Sequence, residues 1–195
     1  SLYYCFFIAF GHIINLHPWE HNDVAPALAA AFSTDVPIVA LHLTRPAIEV
    51  PDRQKMGIAS HFDASKGAYL IRDFDERPRD GVVIVRGTSS TNTVVSILDD
   101  ISSKYNVKIV SAISWELFDM QDSEYKSSII GDQEWADSMV ITNTGLNVMK
   151  NWISNRVVAD YSLSPDWDNR WRTGGSLEQI IDEAHLSPRW ESSFC

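Results

Sequence analysis

The chain is 195 residues long, 45% hydrophobic and 22% charged, which is enough for one sizeable core, or for a core and part of a second. Its formal net charge of −10 excludes a general nucleic-acid surface, which needs clustered Lys and Arg to displace counterions. The two cysteines, Cys5 and Cys195, lie near opposite ends, so no CxxC pair or disulfide framework can be built, and a reducing cytoplasm is expected.

The opening run SLYYCFFIAF is apolar but short, has no basic start and soon gives way to HPWEHND. It reads neither as a membrane span nor as a signal peptide. With no initiator Met, the chain is expected to begin mid-domain, with residues 1–10 an element whose neighbours are missing.

Five short Val- and Ile-rich runs follow: HIINL (12–16), VPIVALHL (36–43), GVVIVRG (81–87), VKIVSAI (107–113) and SMVITN (138–143). They are apolar at nearly every position, the pattern of strands covered on both faces in a parallel sheet. Between them lie helical patterns. The first is expected from Val24 to Phe32, capped by Asn22 or Asp23, with Pro26 in its first turn. The next runs from Thr91 to about Lys104 with Val94, Leu98, Ile101 and Tyr105 along one face. Trp115 to Met120 follows with Ser114 as cap, then a turn from Asp122 to Ile129. Leu146, Met149 and Ile153 predict a helix from Gly145 to about Ser154. Ser176 and Gln179 form a capping box opening a helix through Ala184.

The order is βαβ, a connector over residues 46–66, then βαβαβα. GAYLIRD (67–73) and GVVIVRG, separated by FDERPRD, are expected to form a hairpin with the first as an antiparallel edge strand. The fold class is therefore α/β: a mostly parallel, five-stranded, Rossmann-like open sheet with helices on both faces and one antiparallel edge strand, preceded by a βαβ remnant. The domain boundary falls in the connector.

Several residues bear on chemistry. His17-Pro18-Trp19-Glu20-His21 fits the H-x-x-E-H pattern of one class of zinc peptidases. That chelate needs one continuous helix, and a residue before proline is pushed out of the helical region. A strand-to-helix loop at the ligand-binding edge of an α/β sheet is the favoured reading. Gly87-Thr88-Ser89-Ser90 joins a strand to a helix, either as a plain turn with hydroxyl caps or as an anion-binding turn; it lacks GxGxxG and a P-loop ending. Arg45 follows a strand's carboxyl end, where it can clamp a phosphate or make a surface ion pair. SPDWDNRWR (164–172) gathers Trp167, Trp171, Arg170, Arg172, Asp166 and Asp168 into an interface, a sugar-binding face or a folded-back loop. No GxSxG elbow is present.

IVSAISWELFDMQDSEYKSSII (109–130) resembles the C-terminal domain of transketolases, where a strand leads into Ser-Trp-Glu-Leu-Phe-Asp-x-Gln and then Glu-Tyr-(basic)-x-Ser. The matching residues are Ser114, Trp115, Glu116, Leu117, Phe118, Asp119, Gln121, Glu124, Tyr125, Lys126 and Ser128. GVVIVRGTS is similar to the family's strand and Thr-Gly-Ser-Glu turn. INLHPWEHNDVAPALAAAF resembles the end of its pyrimidine-binding domain, where Arg-Pro-Ala-Asp-x-Asn-Glu opens a helix. VPIVALHLTRPAIEVP resembles that domain's last strand, ending in Leu-Ser-Arg-Gln-x-x-Pro. The resemblance covers residues 12–130 and fades beyond, as in a divergent branch.

The resemblance implies that residues 1–50 end a pyrimidine-binding domain, 51–66 form a linker and 67–195 form a transketolase C-terminal-like domain. It implies a thiamine-diphosphate- and Mg²⁺-dependent enzyme that transfers two-carbon ketol units between sugar phosphates as a homodimer; the cytoplasmic setting is expected from the cysteine usage. This chain would be non-catalytic alone, contributing Arg45 to the substrate phosphate and dimer contacts to the remainder of its polypeptide. The metal motif Gly-Asp-Gly is not in the sequence, where Gly131-Asp132 precedes Gln133, so no catalytic, cofactor or metal residue is expected here. The alternatives are the terminal domain of another thiamine enzyme, an E1 dehydrogenase or a deoxyxylulose phosphate synthase, and a stand-alone regulatory or scaffolding module binding an anion at Gly87–Ser90. Neither nucleic acid nor membrane is an expected partner.

Overall fold

The computed structural model describes residues 12–44, 47–170 and 174–191. Strands β1 (Ile13–Leu16) and β2 (Ile38–Leu41) pair in parallel, with Leu16 opposite Leu41, and helix α1 (His21–Phe32) joins them. Helix α1 begins earlier than expected because Glu20, not Asn22 or Asp23, is its cap. The Asn22 N–H donates to Glu20 Oε2 at 2.7 Å, and the Trp19 N–H donates to Asp23 Oδ2 at 3.1 Å. Pro26 consequently sits beyond the first turn and leaves the Asn22 carbonyl without its helical donor; Asn22 is exposed, so water can replace the lost bond.

The connector forms a short helix α2 (Arg53–Met56) and a 3₁₀ segment, His61–Lys66. Then come β3 (Ala68–Arg72), β4 (Gly81–Arg86), β5 (Val107–Ala112) and β6 (Ser138–Thr142), in the spatial order β3-β5-β4-β6. The class is α/β as expected, with β4 parallel to β5 and β6 and with β3 as the antiparallel edge. Two details differ. β3 pairs with β5, not β4, so residues 67–87 are a crossover rather than a hairpin. Asn106, buried just before β5, holds that crossover: its side chain accepts from the Asp75 N–H and donates to the Asp75 and Arg77 carbonyls. Among the described residues the sheet has four strands, and a single parallel bridge between Ile141 and Leu163 stands at the fifth position.

Alternation along the strands divides the core. Val83, Val85, Ile109, Tyr69 and Ile71 face a cluster that also takes in Ile14, Leu16, Trp19 and Ala27, so it joins the two sheets. Val82, Ile84, Val110, Ala112 and Val140 face a second cluster with Phe118, Met149 and Trp152. Both faces of β4 and β5 are thus covered, which is why their sequences are continuously apolar.

The helix expected over 91–104 starts at Thr88 and is broken in two, α3 (Thr88–Ser96) and α4 (Leu98–Lys104). Thr93 Oγ1 donates to the Ser89 carbonyl and Ser96 Oγ to the Thr93 carbonyl, and such back-bonding competes with the helical ladder. α5 (Trp115–Asp119) has Ser114 as cap, as expected, and the predicted turn over 122–129 is a helix, α6 (Ser123–Ile129). A short helix α7 (Asp132–Ala136) precedes β6. Gly145 to Ser154 holds only a 3₁₀ segment, Leu146–Met149, because the Leu146 N–H donates to Asp166 and Trp152 folds into the second core. Helix α8 (Arg156–Tyr161) covers β6; α9 (Leu177–Glu183), opened by the Ser176–Gln179 capping box, and α10 (Pro188–Glu191) follow.

Candidate functional site

The carboxyl ends of both sheets meet. The His17 N–H donates to the Ile113 carbonyl at 2.8 Å, and Thr88 Oγ1 donates to the Pro18 carbonyl at 3.0 Å. Because Leu16 and Leu41 are in register, the residues after them are neighbours. The His17 and His42 rings stack 4.1 Å apart with planes 4° from parallel. His42 Nε2 lies 3.4 Å from Asn15 Oδ1; the Asn15 backbone N–H and side-chain amide both donate to the Glu116 carboxylate, as does Ser114 Oγ. Arg86, at the end of β4, adds positive charge. Burial, then Arg86, then His42 hold the His17 imidazole well below its ordinary value, so its neutral form is favoured. Burial and Arg86 lower His42 as well, against the pull of Glu116.

A second polar node lies behind the first. Arg53 Nη2 donates to Glu20 Oε1 at 2.7 Å, to Asp23 Oδ1 at 2.6 Å and to Tyr69 Oη at 3.1 Å, while Tyr69 donates to Asp23 Oδ2 at 2.9 Å. The guanidinium lies 5.0 Å from the centroids of both the Trp19 and Tyr69 rings. All five residues are buried. Burial pushes the Asp23 carboxyl up, against Arg53 and Tyr69, and pushes the Tyr69 hydroxyl well up. The node ties α1, the connector and β3 together.

The expected site residues scatter. In HPWEH, His17 stacks on His42, Glu20 caps α1 and binds Arg53, and His21 is exposed, so the three do not converge. Among the described residues no group of three or more His, Cys, Asp or Glu can hold a metal ion. Asp132 opens the short helix α7. Gly87 has φ +92, and a side chain there would overlap Asn143, whose amide donates to Ser89 Oγ at 3.1 Å. Thr88, Ser90 and Thr91 are buried, and Ser90 Oγ and Thr91 Oγ1 have no hydrogen-bond partner. Arg45 lies outside the described residues, as do Trp171 and Arg172. Of the remaining loop, Asp166 accepts from Leu146 and Ser164, Trp167 stacks on His185, and Arg170 pairs with Asp168.

Neither the histidine stack nor the Arg53 node was expected. The stack had a signal: INLH and VALH both end a parallel strand in His, and equal register brings them together. Arg53 had none, since it sits in a proline-flanked connector without a period.

The architecture is that of an open α/β domain whose ligand edge faces a second, smaller parallel layer. The sequence profile of the transketolase-like TK C-terminal domain matches residues 67–159, past the point where the motif resemblance fades. A chloroplastic transketolase of Craterostigma plantagineum is 31% identical over 129 residues, covering 64% of this chain and 23% of that protein. One from Zea mays is 30% identical over 128 residues, covering 64% of this chain and 18% of its own length. The solved transketolase of Leishmania mexicana superposes with a TM-score of 0.75 at 15% identity, over 96% of this chain and 25% of that one. A split-gene transketolase described as an inactive β4 tetramer superposes with a TM-score of 0.63 at 7% identity, over 96% and 58%. Residues 67–159 match a transketolase-like C-terminal domain, and in sequence and fold the chain is similar to transketolases. It spans about a quarter or less of the length of the curated relatives.

Within this domain the family motif has a structural role. Glu116 of SWELFD reaches across to Asn15, Leu117 and Phe118 enter the two cores, and Tyr125 Oη donates to the Ala68 carbonyl at 2.7 Å.

Proposed function

We propose that this chain is the C-terminal region of an enzyme that transfers two-carbon ketol units between sugar phosphates with thiamine diphosphate and Mg²⁺. Residues 1–50 are the end of a pyrimidine-binding domain, 51–66 the linker and 67–195 the C-terminal domain. The match of residues 67–159 to the family profile carries this reading, and the separate two-stranded sheet before the connector supports the division. The cofactor, when bound elsewhere in the protein, supplies the electron sink. This region contributes Arg45 to the substrate phosphate and contacts to the rest of its polypeptide and to a second copy. The cytoplasm is the proposed compartment, on the cysteine usage; no helix among the described residues is long and apolar enough to cross a membrane.

Calorimetry on the isolated chain with thiamine diphosphate and Mg²⁺ is expected to give no binding heat, whereas the full-length protein transfers ketol units from a ketose phosphate. Tight binding by the isolated chain contradicts the reading. A full-length protein that decarboxylates a 2-oxo acid without ketol transfer assigns it instead to the dehydrogenase or deoxyxylulose phosphate synthase type.

A second reading, anion binding at Gly87–Ser90, is favoured by the partnerless buried hydroxyls of Ser90 and Thr91. Inorganic phosphate in the same calorimeter separates the two, since only this reading expects heat that Ser90→Val abolishes.

A further inference from the structure

Two imidazoles are pressed face to face at the seam where the β1–β2 layer meets the four-stranded sheet. We propose that the His17–His42 stack is a proton-operated joint: a proton taken up by either ring loosens the β1–β2 layer from the sheet beneath it. This inference does not depend on which reaction the intact protein performs.

The geometry sets the condition. The rings are 4.1 Å apart and nearly parallel, and His17 is only 5% exposed. A charge on His17 would be buried, and charges on both rings would repel at contact distance. The charged groups facing the pair come from both layers. Arg86 on β4 opposes protonation of either ring, and Glu116 on α5 favours a charged His42. Glu116 already accepts from Asn15 and Ser114, and His42 Nε2 lies beside Asn15 Oδ1. A proton therefore places a charge between Arg86 and a carboxylate held one residue away.

The same few atoms carry the seam. His17 supplies the N–H bonded to Ile113, Pro18 the carbonyl bonded to Thr88, and Asn15 the amide bonded to Glu116. Displacing the His17 ring strains all three contacts together.

The direction follows from linkage. Both rings have depressed folded values, so the closed joint binds fewer protons than an opened one. Its stability is fully present above the free-histidine value of about 6.5 and is lost as pH falls below it. Asp23, whose carboxyl is pushed up, acts in the opposite sense, so it does not imitate the effect.

The test is hydrogen exchange by mass spectrometry on the full-length protein, at about pH 7.5 and about pH 5.5, corrected for the intrinsic pH dependence of exchange. In the wild type, protection of residues 13–17 and 113–116 is expected to fall by more than about tenfold and by up to about 100-fold at the lower pH, about tenfold for each of the two linked protons over about one pH unit. His42→Phe keeps an aromatic ring over His17 and leaves only His17 to take up a proton, so its loss is expected to be smaller than the wild type's, about tenfold at most. Equal losses in both proteins, or no loss in the wild type, overturn the joint. If His42→Phe does not fold, NMR titration of the wild-type imidazoles decides: those of His17 and His42 should titrate clearly below the ordinary value, and ordinary titration of both overturns the joint.

Discussion

Arg53 shows how much one side chain can be asked to hold. It neutralises two buried carboxylates, satisfies Tyr69 and lies between two aromatic rings. Replacing it leaves Glu20 and Asp23 buried beside each other without a counter-charge. Arg53→Met is expected to cost about 3–5 kcal/mol, since removing one partner of a buried pair strands the other. Thermal or urea unfolding of the variant measures it. A loss under about 1 kcal/mol would mean that the node contributes no more than a surface pair. None of this was legible beforehand. Glu20 read as part of a zinc-peptidase pattern and Arg53 as linker, because each takes its role from a residue 30 or 33 positions away.

At the scale of elements, the crossover between β3 and β4 rests on Asn106. The segment FDERPRD looked like a hairpin loop, since it is short, polar and contains a proline. Yet β5 lies between the two strands, and the Asn106 side chain makes three hydrogen bonds to the crossing backbone at Asp75 and Arg77. Asn106→Ala is expected to cost about 1–3 kcal/mol, the loss of three part-buried hydrogen bonds to the crossing backbone, and to raise amide exchange selectively over residues 75–80. Uniform exchange across the sheet would show instead that the whole domain had weakened. The strands themselves were legible because both faces are apolar. Their pairing was not, because a continuous Val/Ile run carries no information about which neighbour it meets. Helix ends were shifted by side chains acting locally: Glu20 moved the start of α1, and hydroxyl back-bonds split α3 from α4.

At the scale of the molecule, the two sheets share one core through Ile14, Leu16, Trp19, Tyr69 and Val85, so the β1–β2 layer and the four-stranded sheet are packed rather than merely tethered. The reading of Arg45 belongs here, because its ligand would be bound by the assembled enzyme. Arg45→Ala in the full-length protein is expected to raise KM for the sugar phosphate about 10- to 100-fold, the loss of a charge-assisted hydrogen bond, with a smaller change in kcat. An unchanged KM would remove Arg45 from the site.

The sequence by itself determined the α/β class, the burial of the strands on both faces, the caps at Ser114 and Ser176 and the family to which SWELFD belongs. These depend on local periodicity, on side chains bonding their own helix ends and on a contiguous motif. Only the tertiary structure decided that β3 joins β5, that His17 lies on His42 and that Arg53 closes on Glu20 and Asp23. Each of these joins residues far apart in the chain, and a one-dimensional pattern does not record which distant groups will exclude water together.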